Sequence, residues 1–316
     1  MKALIHNSPE HSEWFVVNWC LGNTCNFSCT YCPAILHDGS NAWPELDVIK
    51  KFIDRVYQQK PGKKLAFEFT GGEVTVYKHF EELCDFIKLR GGAVLFISNG
   101  SRTLRFWEGM KGKADHVCLS YHAEEGDPDH FFKVVETLHD SMQVHVNVMM
   151  HPNHWPACMD LAERVVNVPG VTIAIQPLIH DFGDKVFDYE PWQQVVFEQQ
   201  YKLFQSRIKP LEGESKGFSV RGAMRETKRG QPSKVVQPHI LISENKNDWS
   251  GWSCAAGVEQ IIVDMDRTVW RGWCREGGLI GRIDDPDLKL PGDWVNCGKK
   301  FCHCNFDIMC TKLEPK

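Results

Sequence analysis

Residues 25–32 read Cys25-Asn26-Phe27-Ser28-Cys29-Thr30-Tyr31-Cys32, shortly after the β-type run Trp14–Cys20. Three thiols at CxxxCxxC spacing on one loop can face a single inorganic group, and soft sulfur donors suit Fe–S or zinc. Three ligands rather than four leave one metal position open. A second β-type run, Leu65–Thr70, ends in Thr70-Gly71-Gly72-Glu73, where side-chain-free residues permit close backbone approach.

Outward from these two strand ends the pattern repeats. Further β-type runs lie at Ala93–Ser98, His116–His122, Gln143–Met149 and Val171–Gln176. Between them run amphipathic stretches: Glu45–Gln59, with Leu46, Ile49, Phe52, Ile53 and Val56 on one face, then His79–Arg90, Asp129–His139 and Trp155–Val168. Pro191 opens another helix to about Ser206. Regular alternation of this kind predicts parallel strands with helical crossovers. The expected fold class is α/β, a partial (βα)6 TIM-like barrel in residues 1–206, with function on the loops at the C-terminal strand ends. Residues 207–250 are basic and polar without an apolar period, and read as a surface linker. Residues 251–316 read as a small Cys- and Trp-rich domain whose hairpin joins Ile261–Met265 to Thr268–Trp270. So small a piece needs a metal or disulfide staple.

Composition narrows the class. The 316 residues are 42% hydrophobic and 24% charged, as in ordinary soluble globular proteins. No apolar run approaches the roughly 20 residues that span a bilayer, and Trp14–Leu21 makes a poor secretory signal. The net charge of −5 argues against nucleic acid as the main partner. Thirteen cysteines, an odd number, concentrate in Cys20–Cys32 and Cys254–Cys310. In a chain read as cytoplasmic, two such clusters point to metal before disulfides.

Strand parity adds polar residues to the barrel mouth. Cys118, Ser120 and His122 share a face, as do His145, Asn147 and Met149; Glu68, Thr70, Ser98 and Gln176 stand at or near other strand ends. Strands buried on both sides would be nearly all Val, Ile and Leu, so these positions suggest a ligand-filled mouth.

CxxxCxxC with an aromatic before its third Cys, followed by Gly71-Gly72-Glu73 after strand two, resembles the radical S-adenosylmethionine (SAM) superfamily across residues 14 to 180. The resemblance implies that Cys25, Cys29 and Cys32 hold a [4Fe–4S] cluster whose open iron is chelated by SAM. One electron then splits SAM into methionine and a 5′-deoxyadenosyl radical. It also implies that Tyr31 lies against adenine, that Gly71 and Gly72 approach the SAM amino group, and that Glu73 contacts that ammonium. Ser98 and Ser120 would serve ribose or carboxylate, and Asn147 would contact SAM. Gln176 is a further binding candidate. The plain alternative is a three-Cys zinc knuckle beside an unrelated Gly-Gly turn, with Cys20 as a possible fourth ligand.

The C-terminal cysteines resemble the Twitch and SPASM extensions that hold auxiliary [4Fe–4S] clusters. A full seven-Cys SPASM set is absent, so one auxiliary cluster is expected, on Cys254, Cys274 and two of Cys297, Cys302 and Cys304. Structural zinc is the alternative. Cys310 reads as a spare core thiol and His303 as a surface residue. Trp249, Trp252, Trp270 and Trp273 read as filling the small core.

Two outcomes of the radical chemistry are carried forward. The auxiliary cluster could take an electron from a substrate radical, giving an oxidation (dehydrogenation or crosslink). Alternatively a thiol could return a hydrogen atom, giving an epimerase, with Cys118 the catalytic candidate and Cys20 the second. The substrate is expected to be a small polar metabolite or a peptide, with His122, His180, Asp181, Trp192 and Arg271 as possible mouth residues. An external electron donor of flavodoxin or ferredoxin type is implied. A non-catalytic zinc-binding interaction protein is the reading of another class. The acidity, the Gly-Gly-Glu turn and the polar strand ends weigh against it.

Overall fold

The computed structural model describes residues 2–180, 185–210, 219–228, 230–302 and 304–315. In chain order its strands are β1 (Lys2–His6), β2 (Trp14–Cys20), β3 (Lys64–Thr70), β4 (Ala93–Ser98), β5 (His116–His122), β6 (Gln143–Met150), β7 (Thr172–Pro177), β8 (Met224–Lys228), β9 (Lys234–Val236), β10 (Ser253–Cys254), β11 (Gln260–Val263), β12 (Thr268–Trp270), β13 (Leu279–Arg282), β14 (Val295–Asn296) and β15 (Lys312–Leu313). The helices are α1 (Leu46–Gln59), α2 (Phe80–Lys88), α3 (Leu104–Met110), α4 (Pro128–Leu138), α5 (Trp155–Val165), α6 (Pro191–Glu198), α7 (Gln200–Leu203), α8 (Pro238–Ser243) and α9 (Asn305–Ile308).

Strands β2 to β7 pair in sequence order, all parallel, and the crossover helices cover their outer face. The apolar stripe of α1 explains its place: Ile49, Phe52, Ile53 and Val56 are fully buried. Each such side chain contributes about 1.5–3 kcal/mol relative to exposure. Capping fixes where helices begin. Asp127 accepts from the His130 amide at 2.7 Å ahead of Pro128, which needs no hydrogen-bond partner at a first turn. Helix α3, capped by Thr103, spans only seven residues and carries too little period to show in the sequence.

The barrel sheet does not stop at β2. Strand β11 pairs parallel with it (Ile261 beside Val17), and β12 and β13 follow antiparallel, so the predicted hairpin extends the barrel sheet.

Residues 207–250, expected to be a linker, contain sheet instead. Strands β8 and β9 belong to a six-stranded sheet of order β14-β10-β15-β1-β8-β9. Its second surprise is β1, since the sequence reading began its strands at Trp14. Strand β1 lies between β8 and β15, so the second sheet joins the start, middle and end of the described chain. Beneath the barrel, Val16, Ala66, Ala93 and Leu95 pack with Val220 and Phe306. No helix among the described residues is long and apolar enough to cross a membrane.

Candidate functional site

At the C-terminal ends of the barrel strands lies a cavity of about 670 Å³. Cys25, Cys29 and Cys32 line it, with Tyr31, Gly71, Gly72, Ser98, Ser120, Asn147 and Gln176. One cavity thus gathers the three loop thiols and most of the polar residues expected from parity.

The glycines serve the packing of one loop on another. The Gly72 amide donates to the Gly22 carbonyl at 2.9 Å, and the Glu73 amide to the Thr24 carbonyl at 2.9 Å. A Cβ on Gly71 would stand 2.2 Å from the Gly22 oxygen, and one on Gly72 2.3 Å from the Thr24 oxygen. No side chain fits between the two loops, so the Gly-Gly turn lets the cysteine loop lie against β3.

Glu73 does not line the cavity. Its buried carboxylate accepts from the Thr75 amide (3.0 Å) and hydroxyl (2.6 Å), the Ser98 hydroxyl (2.9 Å) and the Asn99 amide (2.6 Å). It ties the end of β3 to the end of β4 where the resemblance implied a contact to SAM. Burial pushes its carboxyl above the ordinary value, against those four donors.

Tyr31 is buried, and its hydroxyl lies 2.6 Å from His122 Nδ1 with the two rings stacked. Burial pushes the His122 imidazole down to about 4, so it is neutral near pH 7. Asn147 holds a network below the mouth. Its amide donates to Cys118 Sγ at 3.1 Å, and its oxygen meets His145 Nε2 at 3.2 Å and the Gln176 amide at 3.3 Å.

Cys118, the sequence's candidate hydrogen donor, is not among the described residues lining the cavity. It is the third residue of β5 and sits under Asn147, whereas Cys20 closes β2 and reaches the wall. Burial and the Asp264 carboxylate push the Cys20 thiol up to about 12. Asp264, Met265 and Trp273, from the C-terminal part of the chain, complete this wall. The Arg275 guanidinium donates to Asp264 and lies over Trp270 and Trp273. The sequence reading did not select Asp264 as a site residue.

Among the other mouth candidates, His122 lines the cavity, while His180 lines a separate open pocket beside Glu124 and His151. Trp192 is exposed against Trp155, and Arg271 pairs with Asp293. Asp181 and His303 lie outside the described residues.

Cys254, Cys274 and the neighbouring pair Cys297 and Cys302 come from three separate segments and close on a cavity of about 10 Å³. Cys304 precedes α9 and does not line it. Lys312 does, and it is 1% exposed. Its ammonium donates to the carbonyls of Asp307 (2.8 Å), Ile308 (3.1 Å) and Cys310 (3.0 Å), and forms no ion pair among the described residues. A buried charge is costly without a countercharge. Burial alone would lower Lys312, but negative charge on the sulfurs of Cys254, Cys310 and Cys302 and on the Asp307 carboxylate carries it above the usual lysine value. A hydrogen bond from the Cys310 thiol holds the Cys254 thiol below the ordinary value against burial, with Lys312 helping. Cys310 therefore touches this set, where the sequence made it a spare core thiol.

Among the described residues no three His, Cys, Asp or Glu side chains converge at single-ion spacing. The fit to clusters rests on donor chemistry: three soft thiols on a glycine-bordered cavity, and four more around a buried cation.

Comparison with known proteins bears on this geometry. Residues 19–165 match the family model of the Radical SAM superfamily. No curated protein matches the chain. Among solved structures, native anSMEcpe with bound AdoMet superposes with TM-score 0.53 at 15% identity, over 86% of this chain and 78% of that one. The same enzyme with AdoMet and the Cp18Cys peptide gives 0.52 at 14% identity, over 86% and 78%. Streptococcus suis SuiB bound to S-adenosylmethionine gives 0.55 at 12% identity, over 88% of this chain and 65% of that one. At these identities the likeness is one of fold.

Proposed function

We propose that the chain, whose residues 19–165 match the Radical SAM family model, binds SAM and a [4Fe–4S] cluster and carries out an oxidation, dehydrogenation or crosslink formation, assisted by a second [4Fe–4S] cluster. Held in the cavity, the first cluster and SAM would supply the one-electron chemistry for hydrogen-atom abstraction from a substrate. In this reading Cys25, Cys29 and Cys32 are the cluster's ligands, and Ser120, Asn147 and Gln176 orient SAM within the cavity. Tyr31 closes the adenine side, with its hydroxyl held by neutral His122. Ser98 and Glu73 act one step back, by fixing the loops that carry Gly72 and Asn99.

The second cluster would be held by Cys254, Cys274, Cys297 and Cys302. The observation that carries this reading is Lys312, a buried ammonium bordered by the sulfurs of Cys254, Cys302 and Cys310 as well as by Asp307, for which anionic sulfur would serve as countercharge. The substrate would enter beside Cys20, Asp264 and Trp273. A peptide is supported by the peptide bound to anSMEcpe in a structure of the same fold, and a small polar metabolite fits the same wall. An external one-electron donor of flavodoxin or ferredoxin type would reduce the first cluster.

Iron per chain after anaerobic reconstitution tests the reading. The Cys25/Cys29/Cys32→Ala variant should keep about half the wild-type iron, and removing Cys254, Cys274, Cys297 and Cys302 as well should abolish the rest. A triple variant devoid of iron would overturn the second cluster.

Epimerisation is a second reading, favoured by Cys20. Its thiol lines the cavity and burial keeps it protonated, as a hydrogen-atom donor must be. In deuterium oxide the product would carry deuterium, and Cys20→Ala would still form 5′-deoxyadenosine but no epimer.

A further inference from the structure

The cysteine loop is fastened to the barrel rim mainly through residues that are not cysteine; Cys25 adds one long contact, its Sγ accepting from the Asn99 side-chain amide at 3.9 Å. The Asn99 side-chain amide, after β4, donates to Asn26 Oδ1 at 3.1 Å, and Asn26 Nδ2 donates to Ser101 Oγ at 2.8 Å. After β5 the chain reads His122-Ala123-Glu124-Glu125-Gly126. The amides of Glu125 (3.2 Å) and Gly126 (2.8 Å) both donate to the His122 carbonyl, and this tight turn presents two consecutive carboxylates toward the loop. Glu125 accepts from the Ser28 amide at 3.3 Å and hydroxyl at 3.0 Å. Glu124 accepts from the Thr30 amide at 2.7 Å and hydroxyl at 2.6 Å. His151 Nε2 lies 3.1 Å from the Glu124 oxygen that takes the Thr30 hydroxyl, and bears on it from behind.

Ser28 and Thr30 flank Cys29. Each is gripped through both its backbone amide and its side chain, so the peptide units 27–28 and 29–30 are held by charge-assisted bonds. With Tyr31 held by His122, positions 26, 28, 30 and 31 are tied to the rim, and the thiols at 25, 29 and 32 line the cavity. A free loop of this length would have to order its backbone whenever metal binds, and the clamp removes that entropy cost beforehand.

We propose that Glu124 and Glu125 are positioning residues, a carboxylate clamp that preorganises the CxxxCxxC loop so that Cys29 retains its iron. The proposal rests on Cys25, Cys29 and Cys32 being the ligands of the first cluster. It assigns the pair no contact with SAM or substrate.

The test uses the full chain, reconstituted anaerobically, as wild type, Glu125→Ala, Glu124→Ala/Glu125→Ala and Glu124→Gln/Glu125→Gln. Three quantities are read: the rate of iron release to EDTA, the SAM-induced change in the electron paramagnetic resonance spectrum of the reduced protein, and the unfolding temperature without metal. The double Ala variant should lose iron from the SAM-responsive cluster roughly tenfold faster or more, with four charge-assisted bonds gone. Glu125→Ala, which removes exposed contacts and leaves Glu124 in place, should fall between it and wild type. The Gln pair keeps one acceptor oxygen at each position, enough for both bonds of Glu125 and one of the two at Glu124, and should release iron clearly more slowly than the double Ala variant. Its unfolding temperature should match wild type. Iron release unchanged in both Ala variants would overturn the clamp. So would a Gln pair as fast as the Ala pair, since charge rather than hydrogen bonding would then be the cause. If wild type and the Cys25/Cys29/Cys32→Ala variant hold equal iron, it is the ligand assignment that fails, and the clamp with it.

Discussion

Trp273 and Cys274 are consecutive residues that face different cavities. Trp273 lines the larger one, which holds the CxxxCxxC thiols, and Cys274 lines the smaller one with Cys254, Cys297 and Cys302. One peptide unit therefore forms part of both walls, and Asp307 holds it. The buried Asp307 carboxylate accepts from the Trp273 amide (3.0 Å), the Cys274 amide (2.7 Å) and the Gln260 side-chain amide (3.0 Å). The indole Nε1 of Trp273 donates in turn to Asn18 on β2 at 3.0 Å.

Asp307→Ala should uncouple this shared wall. Two backbone amides would lose their acceptor, and each buried unsatisfied donor costs about 1–3 kcal/mol. Denaturant unfolding of the metal-free protein should show that loss, and iron bound by the second set should fall while the SAM-responsive cluster persists. An Asp307→Ala protein with wild-type iron and stability would refute the shared wall.

Lys312 supplies a prediction of different form. If its countercharge is a metal-loaded thiolate set, removing the ammonium should weaken the loaded state more than the metal-free one. Lys312→Met also removes the donor to three carbonyls, so its stability without metal is not diagnostic. The informative quantity is the rise in unfolding temperature on reconstitution. That rise should be smaller in Lys312→Met than in wild type, and an equal rise would mean that the ammonium only staples the turn after α9.

Gly71→Ala and Gly72→Ala should each break the contact between the cysteine loop and β3. The added methyl would overlap a carbonyl oxygen of residue 22 or 24, which belongs to backbone and cannot rotate away. Gly71 also has φ +140°, a conformation that side chains rarely adopt. Together these should cost more than about 1 kcal/mol and reduce iron in the CxxxCxxC cluster. Gly62→Ala is the control, because it meets nothing within 4 Å yet has φ +77°. It would carry backbone strain alone and leave iron content unchanged.

The barrel was legible because β2 to β7 are continuous runs with buried aliphatic and aromatic residues on the helix-facing side. The second sheet was not. Its strands are two to five residues long, too short for a period of two to emerge, and β1 finds its partners more than 200 positions away. Cysteine spacing carried both thiol sets, but parity misjudged Cys118. Parity tells which face a residue takes and not how deep it lies. At about 3.3 Å per residue, the third position of β5 is far below the mouth that Cys20 reaches at the last position of β2. Glu124 and Glu125 carry no signal in the sequence, because nothing in an acidic pair after a strand shows which loop folds over it.

Glu259 stands where the two sheets meet and gives the chain an acid-sensitive joint. Its carboxylate accepts from the Thr311 amide at 2.9 Å and lies 3.2 Å from His6 Nε2 on β1, while its carbonyl accepts from Val16 on β2. Burial alone would raise its carboxyl, but the bond and charge of His6 and the Thr311 donors bring it down to about 2. A depressed folded-state value means stability that is present above the unfolded value of about 4.3 and lost as pH falls through 2. The gap of about two units corresponds to about 3 kcal/mol at neutral pH. Urea unfolding of the metal-free protein should therefore show Glu259→Gln less stable than wild type at pH 6. The difference should shrink steadily between pH 5 and pH 2. A difference independent of pH would mean that the carboxylate's charge does not hold β1 to the rest of the fold.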